Sequence, residues 1–182
     1  MRIGVDIDDT ICRTTEIVHD RVEKYAKHEN LNPLDIMNDE YLKQAFFNIY
    51  MEDIYTNVVI KKDVCKVLKR LRNKGNEIYI ITGRNNHNTS TVKNVMEITE
   101  NWLQRNGIES DGIITSAYGE TKADVCKKYN IDIMIDDDPF NYKKITSEGI
   151  KCLLFDDRAR YDLKKDYVTS WIDIEKYLER NR

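Results

Sequence analysis

The chain has 182 residues, of which 41% are hydrophobic and 34% charged, and its formal net charge is -3. This apolar content excludes a disordered chain, and the acidic balance excludes broad binding to nucleic-acid polymers, which requires a basic face. No apolar run is long enough to span a membrane. The four cysteines lie far apart without a CxxC pair, which predicts free thiols in a cytoplasmic protein.

The first predicted strand ends in a cluster of carboxylates. The apolar run Ile3-Gly4-Val5 is followed at once by Asp6-Ile7-Asp8-Asp9-Thr10. Three carboxylates at the end of a buried strand repel one another unless a positive group is bound there, most simply a divalent cation. The alternative is a strand that ends in a polar turn, because Asp and Thr both favour turns.

The stretch after this strand is too long for a single crossover helix. It contains a predicted helix from Thr14 to Lys27, a break at Pro33 and an aromatic-rich segment from Tyr41 to Tyr55, but no convincing strand. We therefore predict a small helical cap of residues 14–59, inserted after the first strand of a core formed by residues 1–13 and 60–182.

Further along the chain, short apolar runs alternate with helical patterns, as in parallel sheets that are covered on both faces. The predicted strands are Ile3 to Ile7, Glu77 to Ile81, Gly112 to Thr115, Ile131 to Ile135 and Lys151 to Phe155. The fold class is therefore α/β, a Rossmann-like three-layer sandwich around a five-stranded parallel sheet.

Polar groups follow the later strands as well. They are Thr82-Gly83-Arg84, Lys122, and Asp136-Asp137-Asp138-Pro139. Each has a structural alternative: Thr82 caps a turn, Lys122 is a solvated lysine, and the Asp run caps a helix that starts at Pro139. A lysine in the first turn of a helix opposes the helix dipole, however, which suggests another reason for its position. As a set, these groups indicate a site at one edge of the sheet.

Four segments resemble, in their order along the chain, the four motifs of the haloacid dehalogenase (HAD) superfamily. They are Asp6-Ile7-Asp8-Asp9-Thr10, Thr82, Lys122 and Asp136-Asp137. The resemblance covers nearly the whole chain, and the helical cap also fits that superfamily. Within it, the segments ITGR and IDDDP are most similar to the 5'(3')-deoxyribonucleotidases and their bacterial nucleotidase-like relatives.

The resemblance implies a phosphomonoesterase. Asp6 would attack phosphorus and form an aspartyl-phosphate, and Asp8 would protonate the leaving oxygen and later accept a proton from water. That acid role needs a raised pKa, which we expect the neighbouring carboxylates to supply. An aspartate at the position of Asp8 also separates phosphatases from the dehalogenase branch.

The same resemblance implies a Mg²⁺ site and a phosphate site. Mg²⁺ would bind the Asp6 carboxylate, the Asp8 main-chain carbonyl and a carboxylate of the last motif, with Asp137 as direct ligand and Asp136 holding a coordinated water, or the reverse. The phosphate site would consist of the following groups: Thr82, Lys122 and the backbone N–H groups near Asp8, Asp9 and Gly83.

The substrate is expected to be a small phosphorylated molecule, most simply a nucleotide. Cap aromatics (Phe46, Phe47, Tyr50 and Tyr55) either stack on a base or pack the cap. Four polar side chains (Arg84, Asn85, Arg158 and Arg160) either contact substrate or are solvated. Alternative functions are a phosphatase of another metabolite, such as a sugar phosphate, and a non-catalytic phosphate-binding module. A receiver-type signalling domain fits less well because of the long insertion after the first strand.

Overall fold

The computed structural model describes residues 1–85, 94–116, 119–161 and 166–181. All the strands in these ranges form one parallel sheet in the order β3-β2-β1-β4-β5-β6. The strands are β1 (Arg2–Val5), β2 (Glu77–Thr82), β3 (Gly112–Thr115), β4 (Ile133–Asp136), β5 (Lys151–Phe155) and β6 (Tyr167–Val168). The fold class is confirmed, but the predicted number of five strands is wrong. The sixth strand has only two residues at the sheet edge, too few for a periodic pattern.

Eight helices lie in the described part of the chain. They are α1 (Thr14–Glu29), α2 (Pro33–Asn38), α3 (Glu40–Asn57), α4 (Val64–Asn73), α5 (Val95–Arg105), α6 (Lys122–Lys128), α7 (Pro139–Ser147) and α8 (Trp171–Arg180). Side-chain caps set several of their starts: Ser170 accepts from the Asp173 N–H, and Thr121 and Asp124 form a reciprocal capping box. Within the described ranges, no helix is long and apolar enough to cross a bilayer.

The sheet is buried on both faces by helices. Alternate strand residues such as Ile3, Ile80 and Ile135 join one cluster with α4, α5 and α8, while Ile81 and Met134 join another with α6 and α7. This alternation produces the three layers and explains why the strands read as nearly continuous apolar runs.

Helices α1 to α3 share a smaller cluster of their own, which includes Val22, Tyr25, Ile36, Phe46 and Ile54. No strand is found between residues 14 and 59, all of which the structure describes. The helical character predicted for the insertion is therefore confirmed.

The strand order brings the carboxyl ends of β1 and β4 side by side. Val5 pairs with Ile80 of β2 on one side and with Ile135 of β4 on the other. Helix α4, before β2, packs on one face of the sheet and helix α6, before β4, packs on the other. The ends of β1 and β4 therefore flank the crevice position at which open α/β sheets bind ligands.

Ile80→Ala should lower the free energy of unfolding by about 2–5 kcal/mol, because its side chain is fully buried between the sheet and the helices. Ile49→Ala is the matched control, since Ile49 is 61% exposed on the insertion, and it should change the value by less than about 0.5 kcal/mol. Urea denaturation measures both. Equal losses for the two variants would contradict the described core.

Candidate active site

Two carboxylates at the crevice are buried side by side. Asp6 follows β1 and donates its backbone N–H to the Ile135 carbonyl at 3.0 Å, while Asp136 is the last residue of β4. The Asp136 side chain is fully buried and that of Asp6 nearly so. Such a pair requires a compensating charge.

Lys122 supplies this charge from the first turn of α6. Its Nζ donates to Asp6 Oδ1 at 2.5 Å and to Asp136 Oδ2 at 2.7 Å. Burial alone would lower the pKa of Lys122, but the two carboxylates outweigh it and the pKa is raised. For Asp6, burial raises the pKa, Lys122 opposes it, and the result stays well above the ordinary value. The position of Lys122 is thus explained by its two partners.

A third carboxylate completes a possible cation site. Asp6, Asp136 and Asp137 each present one oxygen within 4.8 Å of the others. Burial, followed by the charge of Asp136, raises the pKa of Asp137 to about 6. Clustered carboxylate oxygens are the donor set that Mg²⁺ prefers, so these residues fit that ion.

Asp136 and Asp137 differ in how many hydrogen bonds they accept from the residues that the structure describes. Asp136 accepts from Lys122, from the Asp138 N–H at 3.0 Å and from the Asn141 side-chain amide at 3.1 Å. Asp137 accepts from Arg160 at 3.2 Å. Asp138 caps α7 by accepting from the Phe140 N–H, with Pro139 in the first helical position, so the helix-capping alternative is correct for that residue.

Asp8 is held by an arginine and a threonine. Arg84 Nη2 donates to Asp8 Oδ1 at 2.6 Å, Arg84 Nε donates to Oδ2 at 3.0 Å, and the Thr14 hydroxyl donates to Oδ1 at 2.6 Å. Burial raises the pKa of Asp8, but Arg84 and Thr14 more than offset it and the pKa is lowered. The expectation of a raised pKa is therefore wrong for this structure, because the partner of Asp8 is a cation rather than another carboxylate.

Arg84 itself is buried, with only 1% of its surface exposed. Its guanidinium lies 4.1 Å from the centre of the Tyr55 ring, and its backbone N–H donates to the Thr82 hydroxyl oxygen at 3.1 Å. Neither a solvated arginine nor an open substrate contact describes this residue, so that prediction is corrected. Asn85 is half-buried and donates to the Gly83 carbonyl, and its contact with substrate stays a prediction.

Asp9 and two arginines close the site on the other side. The Asp9 carboxylate accepts from the Thr15 N–H at 3.0 Å and pairs with Arg158 at 2.9 Å. Arg158 and Arg160 lie in the loop after β5. Arg158 pairs with Asp9 in the loop after β1, and Arg160 pairs with Asp137 directly after β4.

Asp156 organises that loop, and the sequence analysis missed it. Its buried side chain accepts from Arg160 Nε and from the Tyr161 N–H, both at 3.0 Å, and its pKa is lowered by these bonds despite burial. The available signal was an acidic residue directly after the buried run Lys151 to Phe155, the same pattern that singled out Asp6 and Asp136. Thr14 and Asn141 were also not assigned to the site, and Tyr55 was considered only as a cap aromatic, not as a partner of Arg84.

The cap aromatics pack together. Phe46 is fully buried, and its ring lies 5.0 Å from Phe47, 5.2 Å from Tyr50 and 5.8 Å from Tyr25. The packing alternative is correct for Phe46, and its predicted stacking on a base is wrong because the ring does not reach the surface. Phe47 and Tyr50 are partly buried in the same cluster.

The chain matches known proteins over almost its full length. No model of a known protein family matches it. It is 25% identical to "Putative nucleotidase OB0422" of Oceanobacillus iheyensis, over 98% of both chains. The magnesium-bound structure of the "putative HAD-hydrolase YfnB" from Bacillus subtilis has a TM-score of 0.70 at 12% identity over 98% of both chains. A "predicted phosphoglycolate phosphatase" from Haemophilus somnus has a TM-score of 0.68 at 14% identity over 97% of this chain and 96% of its own. These solved structures show that the chain has the fold that the resemblance implied.

Lys122→Met should lower the free energy of unfolding by about 3–5 kcal/mol in metal-free buffer, because it leaves buried carboxylates without their cation. Lys127→Met is the matched control: Lys127 lies on the same helix, half exposed, and pairs with Glu148. Its loss should be below about 1 kcal/mol. Urea denaturation with EDTA present measures both, and a small loss for Lys122→Met would contradict the bridging role.

Proposed function

We propose that the protein is a Mg²⁺-dependent phosphomonoesterase that works through an aspartyl-phosphate on Asp6 and acts on nucleoside or deoxynucleoside monophosphates. The observation that carries the proposal is the junction of Asp6, Asp136 and Lys122 at the crevice, with Asp137 within reach. A module that only binds phosphate would need positive groups. This site also holds the buried carboxylate of Asp6 next to the position proposed for phosphorus, as an enzyme that forms an aspartyl-phosphate requires.

The first half of the reaction transfers the phosphoryl group to the chain. An Asp6 oxygen attacks phosphorus, the ester P–O bond breaks, and the leaving oxygen takes a proton from Asp8 and departs as an alcohol. Lys122, already 2.5 Å from Asp6 Oδ1, offsets charge that develops on the phosphoryl oxygens. Water then attacks the aspartyl-phosphate and gives a proton to Asp8, which restores both residues and releases inorganic phosphate.

The lowered pKa of Asp8 makes it a carboxylate in the ligand-free protein. That form is the one needed to accept a proton from water in the second half of the reaction. For the first half, a bound phosphoryl dianion would raise the pKa of Asp8 by like-charge repulsion and favour its protonated form.

The carboxylates of Asp6 and Asp137 and the main-chain carbonyl of Asp8 are the proposed metal ligands. Asp137 accepts fewer hydrogen bonds than Asp136, which supports Asp137 as the direct ligand and Asp136 as the residue that holds a coordinated water. When bound, Mg²⁺ would neutralise phosphoryl charge and orient the ester for in-line attack.

Thr82, Gly83 and the backbone at Asp9 are the proposed remainder of the phosphate site. The Thr82 oxygen accepts from the Arg84 N–H, which leaves its own hydroxyl proton for a phosphoryl oxygen. Gly83 is exposed and Asp9 adopts a left-handed backbone at φ 56°, so both lie in turns whose N–H groups can face an anion.

Nucleotides are the proposed substrates because the relative from Oceanobacillus iheyensis carries the name of a nucleotidase. The fold of the Haemophilus somnus protein, named for phosphoglycolate, favours a small phosphorylated metabolite as the second candidate. In either case residues 14–59 would act as the cap that selects the substrate, with Phe47 and Tyr50 its aromatic candidates.

The four free cysteines support a cytoplasmic, reducing environment.

The wild-type protein should release phosphate from a panel of nucleoside monophosphates, sugar phosphates and 2-phosphoglycolate in the presence of Mg²⁺, fastest from a nucleotide. Asp6→Asn should abolish turnover, because an amide oxygen is a far weaker nucleophile, while its circular dichroism stays unchanged. Asp20→Asn is the matched control, since Asp20 is half exposed on α1 and its ion pairs in the described part of the chain are with Arg21 and Lys24 of the same helix.

Faster release from a sugar phosphate or from 2-phosphoglycolate would select the second candidate. No turnover of any ester by the folded wild-type protein would instead favour a phosphate-binding module and refute the enzymatic proposal.

Asp137→Asn should weaken Mg²⁺ binding at least tenfold, because it removes one anionic ligand while keeping the side-chain shape. Isothermal titration with MgCl₂ measures the affinity without any substrate. Asp138→Asn should leave it within about threefold, since Asn caps a helix as well as Asp does. If the two variants bind alike, Asp137 is not a ligand.

A further inference from the structure

We propose that Arg84 is a positioning residue for Asp8: with Thr14, it fixes the carboxylate so that Oδ2 is the oxygen that exchanges protons with the substrate. The proposal rests on the proposed function, because it assigns one step of that reaction to a particular atom. It concerns the geometry of Asp8.

The two oxygens of Asp8 are bonded unequally. Oδ1 accepts from Arg84 Nη2 and from the Thr14 hydroxyl, both at 2.6 Å, and also from Arg84 Nε at 3.2 Å. Oδ2 accepts from Arg84 Nε at 3.0 Å and from no other described residue. Each carboxylate oxygen has about two lone-pair directions, so Oδ1 is filled and Oδ2 keeps one direction open. Because 34% of the Asp8 side chain is exposed, a ligand in the crevice can reach this carboxylate.

Arg84 can fix Asp8 because its own side chain is immobilised. The guanidinium carbon lies 4.1 Å from the centre of the Tyr55 ring and 5.9 Å from that of Trp102, and Nη2 lies 3.8 Å from Cys12 Sγ. A planar guanidinium presents its donors in a rigid fork, which sets the carboxylate plane as well as its position. A lysine in the same place would supply charge but no fork.

The helical insertion supplies Tyr55, one of the aromatic residues that contact Arg84. Tyr55 lies near the end of α3, and the residues that follow it are anchored to α5: Trp102 Nε1 donates to the Val58 carbonyl at 2.9 Å, and Arg105 donates to the Thr56 carbonyl. Tyr55 is therefore fixed relative to the sheet, and through Arg84 it is linked to Asp8.

Stability alone is a poor explanation for the pair of Arg84 and Asp8. Arg84 Nη1 is buried and has no hydrogen-bond partner among the described residues, and a buried donor without a partner is destabilising. Apolar side chains commonly fill such a volume at least as favourably as a buried ion pair. The positioning of Asp8 therefore explains why an arginine is found here, whereas packing alone does not.

The test is the dependence of the rate on the leaving group. An alkyl ester needs a proton on its leaving oxygen, whereas p-nitrophenyl phosphate expels a stabilised phenolate that needs none. Values of kcat/KM are compared, because they report the steps up to phosphoryl transfer to Asp6. Thymidine 5'-monophosphate and 2-phosphoglycolate serve as alkyl esters.

Arg84→Lys should lower kcat/KM about 100-fold for whichever alkyl ester the wild type hydrolyses, and less than about fivefold for p-nitrophenyl phosphate. Thr14→Val should show the same selectivity with a smaller loss, of about tenfold, and Asp8→Asn should show it most strongly. Arg70→Lys is the matched control, because it alters an equally bidentate pair with Glu175 on the outer surface, and should change neither rate.

Equal losses on both classes of ester, in variants that keep the wild-type melting temperature, would overturn the positioning role alone. If Arg84→Lys does not fold, Thr14→Val decides by the same comparison. If the folded wild type hydrolyses none of the three esters, the proposed function fails and this assignment fails with it.

Discussion

The site depends on one lysine placed between two carboxylates. Asp6 and Asp136 end adjacent strands, and without Lys122 their charges would oppose the pairing of β1 with β4. The cation makes the crevice compatible with a buried sheet, and it stands where a phosphoryl group would need a positive partner. Structural support and proposed chemistry therefore rest on the same Nζ atom.

The remaining acidic residues of the crevice follow the same rule of local neutralisation. Arg84 pairs with Asp8, Arg158 with Asp9 and Arg160 with Asp137. A chain with a net charge of -3 thus surrounds its most acidic region with fixed cations. An arriving phosphate would meet a region that is less negative than its aspartate count suggests.

The sequence predicted those features that depend on local pattern. Continuous apolar runs located β1 to β5 because both faces of these strands are covered, and Ser170 and Pro139 marked helix starts because their capping chemistry is local. The two-residue β6 carries no such pattern.

The pairing of Arg84 with Asp8 was not predictable because it depends on the burial of Arg84 beside Tyr55 of the insertion, which no local pattern indicates. Asp156 did carry the same signal as Asp6 and Asp136, an acidic residue after a buried strand. The juxtaposition of Asp6 and Asp136 followed from strand ends, since parallel strands bring their carboxyl ends to one edge, and Lys122 was expected beside them as the first residue of the helix after β3.

The strand order also has a consequence for biosynthesis. The central strand β1 is made first, yet its neighbour β4 begins at Ile133 and Lys122 follows most of the chain. A nascent polypeptide that has left the ribosome as far as β3 can pair β1 with β2, but one edge of β1 and the Asp6 carboxylate still lack their partners. Parallel pairing over such a distance closes slowly. The crevice therefore assembles only after β4 has been made, and a product truncated before Asp136 lacks it.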